Sequence, residues 1–216
     1  MYNPALFRVA DDACLHDLVD ADPFGTLVAA GADGVEVAHV PFVLDRGAGP
    51  HGTLRFHVAR ANPVWRAALA AREVVGVFRG PDAYVSASWY EKPREEVPTW
   101  NYAVVHAHGR AAGPMANDDL RRLLADIAAR HETGVAPWRL DRLDPAFVDE
   151  LLGQIVGLSL PIDRLDGKFK LSQNRSDEDR RRVREALAAR ATEADLAMLR
   201  LMPGFRPSND LGRNPG

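Results

Sequence analysis

The stretch of residues 24–45 reads FGTLVAAGADGVEVAHVPFVLD. It holds two β-prone runs on either side of a short break at Asp33 and Gly34. Asp-Gly is a dipeptide that tight β-hairpin turns favour, because it tolerates the positive φ angles that those turns require. The stretch therefore predicts an antiparallel hairpin.

Further strand and helix patterns lie on both sides of this hairpin. Strand-like runs are TLRFHVAR, VVGVFRG, AYVSASWY, AVVHAHG and GLSLPIDRLDGKFKL. Helical spacing of apolar residues is found in ANPVWRAALAAR, NDDLRRLLADIAARHE, DPAFVDELLGQI, SDEDRRRVREALAARA and TEADLAMLRLM. Short strands among helices, without a repeat, predict an α+β fold: a closed antiparallel β-barrel with helices around it.

Length and composition indicate the class of protein. The 216 residues, 46% apolar and 26% charged, suit one globular domain, which we predict over residues 1–202, followed by a flexible polar tail over 203–216. The single cysteine, Cys14, excludes an intramolecular disulfide and fits a reducing compartment. No uncharged apolar run is long enough to span a membrane, so we expect a cytoplasmic protein without a membrane partner.

The charge pattern limits the partners. A formal net charge of −3 gives the chain no overall attraction to nucleic acid or anionic lipid. Residues 170–201 could be two consecutive helices of a helix-turn-helix, but the arginines at 180–184 are offset by acidic residues at 177–179 and by Glu185. A solvated helix face is therefore favoured over a DNA-reading helix.

Two short motifs carry little weight. Residues 47–52, GAGPHG, match the glycine pattern of a dinucleotide-binding loop, but strand patterns flank them on both sides, whereas that loop opens a helix. His106 and His108 share one face of a strand, but zinc or iron needs a third ligand, which His39 or His57 would have to supply. We expect residues 47–52 to form a hairpin loop. We expect His106 and His108 to be ordinary strand histidines, and no metal to be bound. No nucleophile motif indicates a catalytic residue.

RFHVARANPVW, residues 55–65, is more informative. A strand ends at Arg60, and Asn62 and Pro63 open a helix. Free N–H groups at a helix start, next to a guanidinium, suit a phosphate monoester. The alternative is a capped helix beside a solvated arginine, and the sequence alone leaves both open.

Aromatic and polar side chains cluster in two further stretches. Ser86 and Trp89 lie in AYVSASWY, and Trp100 and Asn101 follow Pro98. A large planar heterocycle with polar edges would use rings for stacking and amides or hydroxyls for its nitrogens and carbonyls. Packing in a core or an interface is the alternative for each aromatic residue.

Six segments together resemble the PaiB family, whose members are described as FMN-binding negative transcriptional regulators. They are MYNPALF at 1–7, AHVPF at 38–42, FHVARANP at 56–63, AYVSASWY at 83–90, VPTWNYAVVHAHG at 97–109 and KFKLSQNR at 168–175. The resemblance runs to about Met202. Family members often carry proline before the second serine of S-x-S-W-Y, where this chain has Ala87.

The resemblance implies a split β-barrel of the antiparallel, FMN-binding type, usually a homodimer with FMN at the subunit interface. Arg60 and Asn62 would lie at the phosphate-binding junction, with His39, Pro41 and His57 near the flavin ring. Ser86, Trp89, Trp100 and Asn101 would be ring-side or partner-subunit contacts. Lys170, Ser172 and Gln173 belong to a motif of the family, and we include them among the predicted FMN-binding residues. The sequence does not indicate their physical role.

The function implied by the resemblance is an FMN-binding negative transcriptional regulator. DNA is then a possible partner, although no residue indicates a DNA-contacting surface. One alternative is an FMN-dependent oxidoreductase similar to flavin reductases, in which the flavin carries the hydride chemistry. Another is a haem-binding split barrel that uses His39, His57 or His106.

Overall fold

The computed structural model of the chain describes residues 1–31 and 34–203. Its strands are β1 Arg8–Val9, β2 Phe24–Gly31, β3 Gly34–Pro41, β4 Val43–Asp45, β5 Thr53–Ala59, β6 Val74–Val85, β7 Thr99–Gly109 and β8 Ile155–Lys170. Its helices are α1 Asp12–Ala21, α2 Val64–Ala70, α3 Asn117–His131, α4 Pro145–Gly153, α5 Asp177–Arg190 and α6 Glu193–Leu201. None of the helices within these described residues is both long and apolar enough to cross a lipid bilayer.

The described strands form one sheet in the order β3-β2-β6-β7-β8-β5-β4, with β1 paired to β8. Strand β2 pairs with β3 in antiparallel register from Phe24 opposite Pro41 to Gly31 opposite Gly34. The predicted antiparallel hairpin is confirmed, while Asp33 of its predicted turn lies outside the described residues. So does the predicted tail, apart from Pro203.

The chain divides into two compact units. Of the described residues, the first unit comprises those of Met1–Ala10, of Arg79–Val104 and of the chain from Gly167 to Pro203, and the second comprises those of Asp11–Phe78 and Val105–Asp166. Strands β6, β7 and β8 each contribute residues to both units. The two units are therefore not successive halves of the sequence.

Three phenylalanines fill the core of the second unit. The ring of Phe42 meets those of Phe56 and Phe78 edge-on, each at 5.1 Å between centroids, a geometry that aromatic pairs favour. Gly25 lies against two of these rings, since a Cβ there would stand 2.8 Å from Phe78 and 3.1 Å from Phe42. A glycine at this position therefore lets β2 approach the ring cluster closely.

The second unit has another apolar cluster where α3 and α4 pack beside β4. Its buried members are Val43, Leu120, Leu123, Val148 and Leu152. Leu120 and Leu123 are three residues apart on α3, and Val148 and Leu152 are four residues apart on α4, so each helix buries one stripe. The cluster gives α3 and α4 their fixed place beside the strands of this unit.

Helices α5 and α6 belong to the first unit. Ser176 caps α5, and Asp177, Glu178 and Asp179 occupy its first turn, where negative charge stabilises the helix dipole. Between the helices, Ala191 takes a positive φ of 50°, and the buried carboxylate of Asp195 accepts hydrogen bonds from Arg190 and Thr192. The acid-rich start predicted for this helix is confirmed.

Candidate functional site

The junction between β5 and α2 positions Arg60 and Asn62. The exposed guanidinium of Arg60 donates to the carbonyl oxygens of Gly153 and Ile155 at 2.6 and 2.9 Å. Asn62 uses its Oδ1 to accept from Val64 N–H at 3.0 Å, so its capping role is performed by the oxygen alone. Among the described hydrogen bonds, Arg60 Nη1 and Asn62 Nδ2 have no acceptor, and both remain donors for a ligand.

The contribution of the α2 terminus itself is smaller than the sequence indicated. The strand ends at Ala59 and the helix begins at Val64. Pro63 has no N–H, and the Val64 N–H is already bonded to Asn62. An anion at this junction would therefore depend mainly on side-chain donors.

His57 lies on β5, three residues before Arg60. Its Nδ1 is buried and has no hydrogen-bond partner among the described residues. Burial lowers the pKa of His57, because a desolvated imidazole disfavours its charged form. The ring is therefore a neutral group with an unsatisfied nitrogen, which a polar ligand atom or a water molecule could satisfy.

His39 and Pro41 lie on β3, on a sheet face that we call the outer sheet face. Residues paired across β3, β2 and β6 point to the same side. They are Phe24, Thr26, Val28, Ala30, Val35, Val37, His39, Pro41, Val75 and Val77. Most are apolar, yet Phe24, Val35 and Val37 are 63%, 66% and 54% exposed. In their midst His39 Nδ1 lies 3.0 Å from Thr26 Oγ1.

Ser86 and Trp89 belong to the first unit. The Ser86 hydroxyl accepts from Ser88 N–H at 3.2 Å and caps a single turn of 3-10 helix, Ala87–Trp89. Ala87 thus fits this turn without the proline common in the family. The guanidinium of Arg190 lies 5.1 Å from the Trp89 ring, so this ring packs on a cation. A flavin contact for Ser86 and Trp89 stays a prediction.

Trp100 and Asn101 point to opposite sides of β7. The Trp100 ring is 52% exposed and meets Tyr84 edge-on at 5.8 Å. Asn101 is fully buried and exchanges two hydrogen bonds with Ser172, at 2.9 and 3.1 Å. Strand alternation therefore leaves the Trp100 ring exposed and directs the Asn101 amide into the interior of the unit.

The motif residues after β8 have structural partners that the sequence did not reveal. Lys170 donates to Trp100 O at 2.8 Å and to Thr99 Oγ1. The Gln173 side chain accepts from Leu171 N–H and donates to Phe169 O, both at 2.6 Å. These bonds, with that of Ser172, fix the end of β8 beside the start of β7.

The structure thus gathers Trp100, Asn101, Lys170, Ser172 and Gln173 into one group in the first unit. In the second unit, His57, Arg60 and Asn62 follow one another along β5 and into α2, whereas His39 and Pro41 lie on β3. Sequence reasoning missed Tyr2, Thr26, Tyr84 and Lys168 as neighbours of these groups. Tyr2, Tyr84 and Lys168 lie in MYNPALF, AYVSASWY and KFKLSQNR, three of the segments that resemble the family, and this resemblance is the signal that could identify them.

His108 lies between two carboxylates of the second unit. It is 7% exposed, and its Nδ1 and Nε2 lie 3.4 Å from Glu73 Oε2 and Asp166 Oδ2. Burial, followed by the nearby His108, lowers the pKa of His106. Within residues 1–31 and 34–203, no group of three or more His, Cys, Asp or Glu is arranged to hold a metal ion.

Comparison with known proteins identifies the family. Residues 1–164 match the family model described as "Putative FMN-binding domain". The chain belongs to this family. A relative from Bacillus subtilis, "Protease synthase and sporulation protein PAI 2", is 33% identical over 190 residues, which is 87% of this chain and 89% of the relative. The resemblance to the PaiB family is confirmed, and the chain is a flavin-binding protein of the PaiB type.

Solved structures confirm the fold. The flavocytochrome Anf3 from Azotobacter vinelandii shares 17% identity and a TM-score of 0.58, over 80% of this chain and 74% of that one. The FAD and heme binding protein from Mycobacterium smegmatis shares 19% identity and a TM-score of 0.57, over 80% and 78%. At these identities the similarity concerns the fold alone, and the predicted antiparallel split β-barrel with surrounding helices is confirmed.

The predicted cofactor, FMN, is confirmed by the family assignment. The residues present fit its chemistry. Arg60 Nη1 and Asn62 Nδ2 are donors suited to a phosphate, and the buried, unpartnered His57 Nδ1 offers a polar contact. When bound, FMN supplies redox chemistry through its isoalloxazine ring, while the protein binds and orients it.

Desolvation of the half-buried His57 ring predicts a pH dependence of stability. Its pKa is lowered from about 6.5 in the folded chain, so on acidification the unfolded chain takes up the proton first. Stability is therefore lost as the pH falls below about 6.5. We expect the free energy of unfolding, measured by urea denaturation, to decrease less in His57→Gln than in the wild type when the pH falls from about 7 to about 5.

A matched control is His131→Gln, which changes an exposed histidine at the end of α3. It should keep the pH dependence of the wild type. A His57→Gln variant with the same pH dependence as the wild type would show that desolvation of the His57 ring does not contribute to that dependence.

Proposed function

We propose that the chain binds FMN non-covalently at a homodimer interface and acts as a negative transcriptional regulator. The flavin assignment depends on two donors at the β5–α2 junction, Arg60 Nη1 and Asn62 Nδ2, which have no acceptor among the described residues, in a chain whose family is FMN-binding. The phosphate is held by these two side chains. Because Arg60 is fixed by two carbonyl oxygens, it meets the phosphate with little loss of side-chain entropy.

The outer sheet face supports both a flavin ring site and a dimer. An exposed apolar sheet face is typical of a surface that another molecule covers. Its apolar side chains suit the flat ring of a flavin, and the polar pair of Thr26 and His39 suits a ring nitrogen or carbonyl oxygen. A second copy of the chain covers the rest of this face and encloses the ring.

Four residues of the predicted FMN-binding set are better explained by their own hydrogen bonds. Asn101 and Ser172 bond to each other inside the first unit, Gln173 bonds to the backbone, and Lys170 bonds to Trp100 O. We propose that Asn101, Ser172 and Gln173 position β7 and the end of β8. Their substitution would affect ligand binding through the backbone rather than through a lost contact.

Arg60→Ala tests the phosphate assignment. A hydrogen bond between a guanidinium and a phosphate contributes about 1.5–3 kcal/mol, so we expect FMN affinity to fall roughly 10- to 100-fold. Flavin absorbance in equilibrium dialysis measures the affinity, and urea denaturation verifies that the variant folds. Arg60→Lys, which keeps the charge, should recover part of the loss.

The matched control for this experiment is Arg66→Ala. Arg66 is an exposed arginine of α2 whose guanidinium lies 4.2 Å from the Trp65 ring. It should bind FMN like the wild type. If Arg60→Ala binds FMN as tightly as the Arg66→Ala control, the phosphate lies elsewhere.

Val37→Glu tests the dimer. A carboxylate in the middle of the outer sheet face would be buried without a partner in the dimer, which is strongly unfavourable. We expect sedimentation velocity to show a dimer for the wild type and a monomer for Val37→Glu. Val135→Glu, at a fully exposed position of the same unit, should stay dimeric. A dimeric Val37→Glu variant would place the interface on another surface.

The regulatory role rests on the similarity to the Bacillus subtilis relative, whose name refers to protease synthase and sporulation. The alternative is an FMN-dependent oxidoreductase. Selection from a random duplex DNA library, followed by gel shifts in increasing salt, should yield sequence-selective and salt-sensitive binding by a regulator. Steady oxidation of NAD(P)H by the FMN-loaded protein, without selective DNA binding, would instead assign it as an oxidoreductase.

A further inference from the structure

Three cationic side chains of the first unit share one side of the β1–β8 pair. Arg8 lies directly opposite Lys168 in the antiparallel register, and Lys170 is two residues further along β8, so all three point to the same side. None of the three forms an ion pair with an acidic side chain in the described part of the chain. Arg175, by contrast, pairs with Glu96 at 2.6 Å.

Lys168 is the most enclosed of these cations. It is 8% exposed, and its Nζ donates to Tyr2 O at 3.1 Å. The rings of Tyr2 and Tyr102 lie 5.5 and 5.3 Å from the ammonium. Ring faces and a carbonyl oxygen attract a cation without neutralising it. The positive charge of Lys168 is therefore held in place but not compensated.

The positive charges also influence each other. Burial lowers the pKa of Lys170, and the neighbouring Arg175 and Lys168 lower it further. Neighbouring positive charges repel each other, and an anion bound beside Lys168 and Lys170 would reduce this repulsion. The local charge distribution therefore favours an anionic ligand.

Exposed aromatic rings lie next to these cations. Lys170 holds the backbone of Trp100 through its carbonyl oxygen at 2.8 Å, and the Trp100 ring stays 52% exposed. Tyr2, which contacts Lys168, is 85% exposed. We call Tyr2, Arg8, Trp100, Tyr102, Lys168 and Lys170 the basic–aromatic face. Its chemistry combines uncompensated positive charge with flat apolar surface.

We infer that the basic–aromatic face binds a nucleotide, with the phosphate beside Arg8, Lys168 and Lys170 and the base stacked on Trp100. Proteins bind single-stranded nucleic acids without sequence preference by stacking bases on aromatic rings and by contacting phosphates with basic side chains. The basic–aromatic face offers both interactions to one nucleotide. A single nucleotide is favoured over a long nucleic acid because the face offers only three cations and the chain is negatively charged overall. This ligand is additional to FMN, whose phosphate is proposed at Arg60.

Titration of the FMN-loaded chain with adenosine 5′-monophosphate tests the inference. Isothermal titration calorimetry should show one site per chain, and adenosine or inorganic phosphate alone should bind at least about tenfold more weakly, because each offers half of the interactions. Arg8→Glu reverses an exposed charge whose side chain makes one hydrogen bond among the described residues, to Asn3 O. We expect it to weaken the monophosphate at least about tenfold, and increasing salt to weaken binding to the wild type.

Further variants separate the two halves of the face. Trp100→Ala should weaken the monophosphate and adenosine alike, whereas Arg8→Glu should weaken the monophosphate and inorganic phosphate but not adenosine. Lys92→Met is the control, since Lys92 is an exposed lysine of the same unit that pairs with Glu95. It should bind like the wild type. Thermal melts of each variant verify folding.

Three outcomes would overturn the inference. They are no binding of the monophosphate at millimolar concentration, unchanged affinity in Arg8→Glu, and displacement of the monophosphate by excess FMN, which would make the face part of the flavin site. Flavin absorbance of the same samples reports FMN binding separately. A chain that takes up no FMN but binds the monophosphate would refute the proposed function and leave this inference intact.

Discussion

Two hydrogen bonds between the buried side chains of Asn101 and Ser172 set the geometry of the first unit. They join residues 71 positions apart in sequence, and Ser172 has a positive φ of 64°. Breaking one partner would leave a polar group buried without a hydrogen bond, which costs about 1–3 kcal/mol. The start of β7 and the end of β8 are therefore held in one register, on which the surrounding side chains depend.

Because side chains alternate along a strand, the fixed register determines which residues of β7 and β8 point outward. With Asn101 directed inward, its neighbour Trp100 must point outward, and Lys168 and Lys170 lie on a common side of β8. The same rule operates in the second unit, where Gly25 points to the phenylalanine core and Thr26 pairs with His39 on the outer sheet face. In both units a tightly packed inner side determines which residues of the opposite side are exposed.

Local patterns made much of the fold predictable, and long-range contacts account for the rest. The hairpin of residues 24–45 and the acid-rich start of α5 follow from turn chemistry, periodicity and helix capping, which need only neighbouring residues. The partners of Arg60 are 93 and 95 residues away, and no local pattern indicates them. The sequence also did not indicate the roles of Lys170, Ser172 and Gln173. Lys170 and Ser172 bond to residues of β7 that are distant in sequence.

Whether a cationic side chain bonds to a carboxylate or to a carbonyl oxygen determines how much of its charge remains available to an anionic ligand. Arg46 bonds to the carboxylates of Asp17 and Asp20, so its charge is largely compensated and its role is structural. Arg60 and Lys168 bond only to carbonyl oxygens in the described part of the chain. A carbonyl oxygen orients a cation but leaves its full charge available to an anion. Because of this difference in partners, we propose phosphate contacts at Arg60 and Lys168 rather than at the ion-paired arginines.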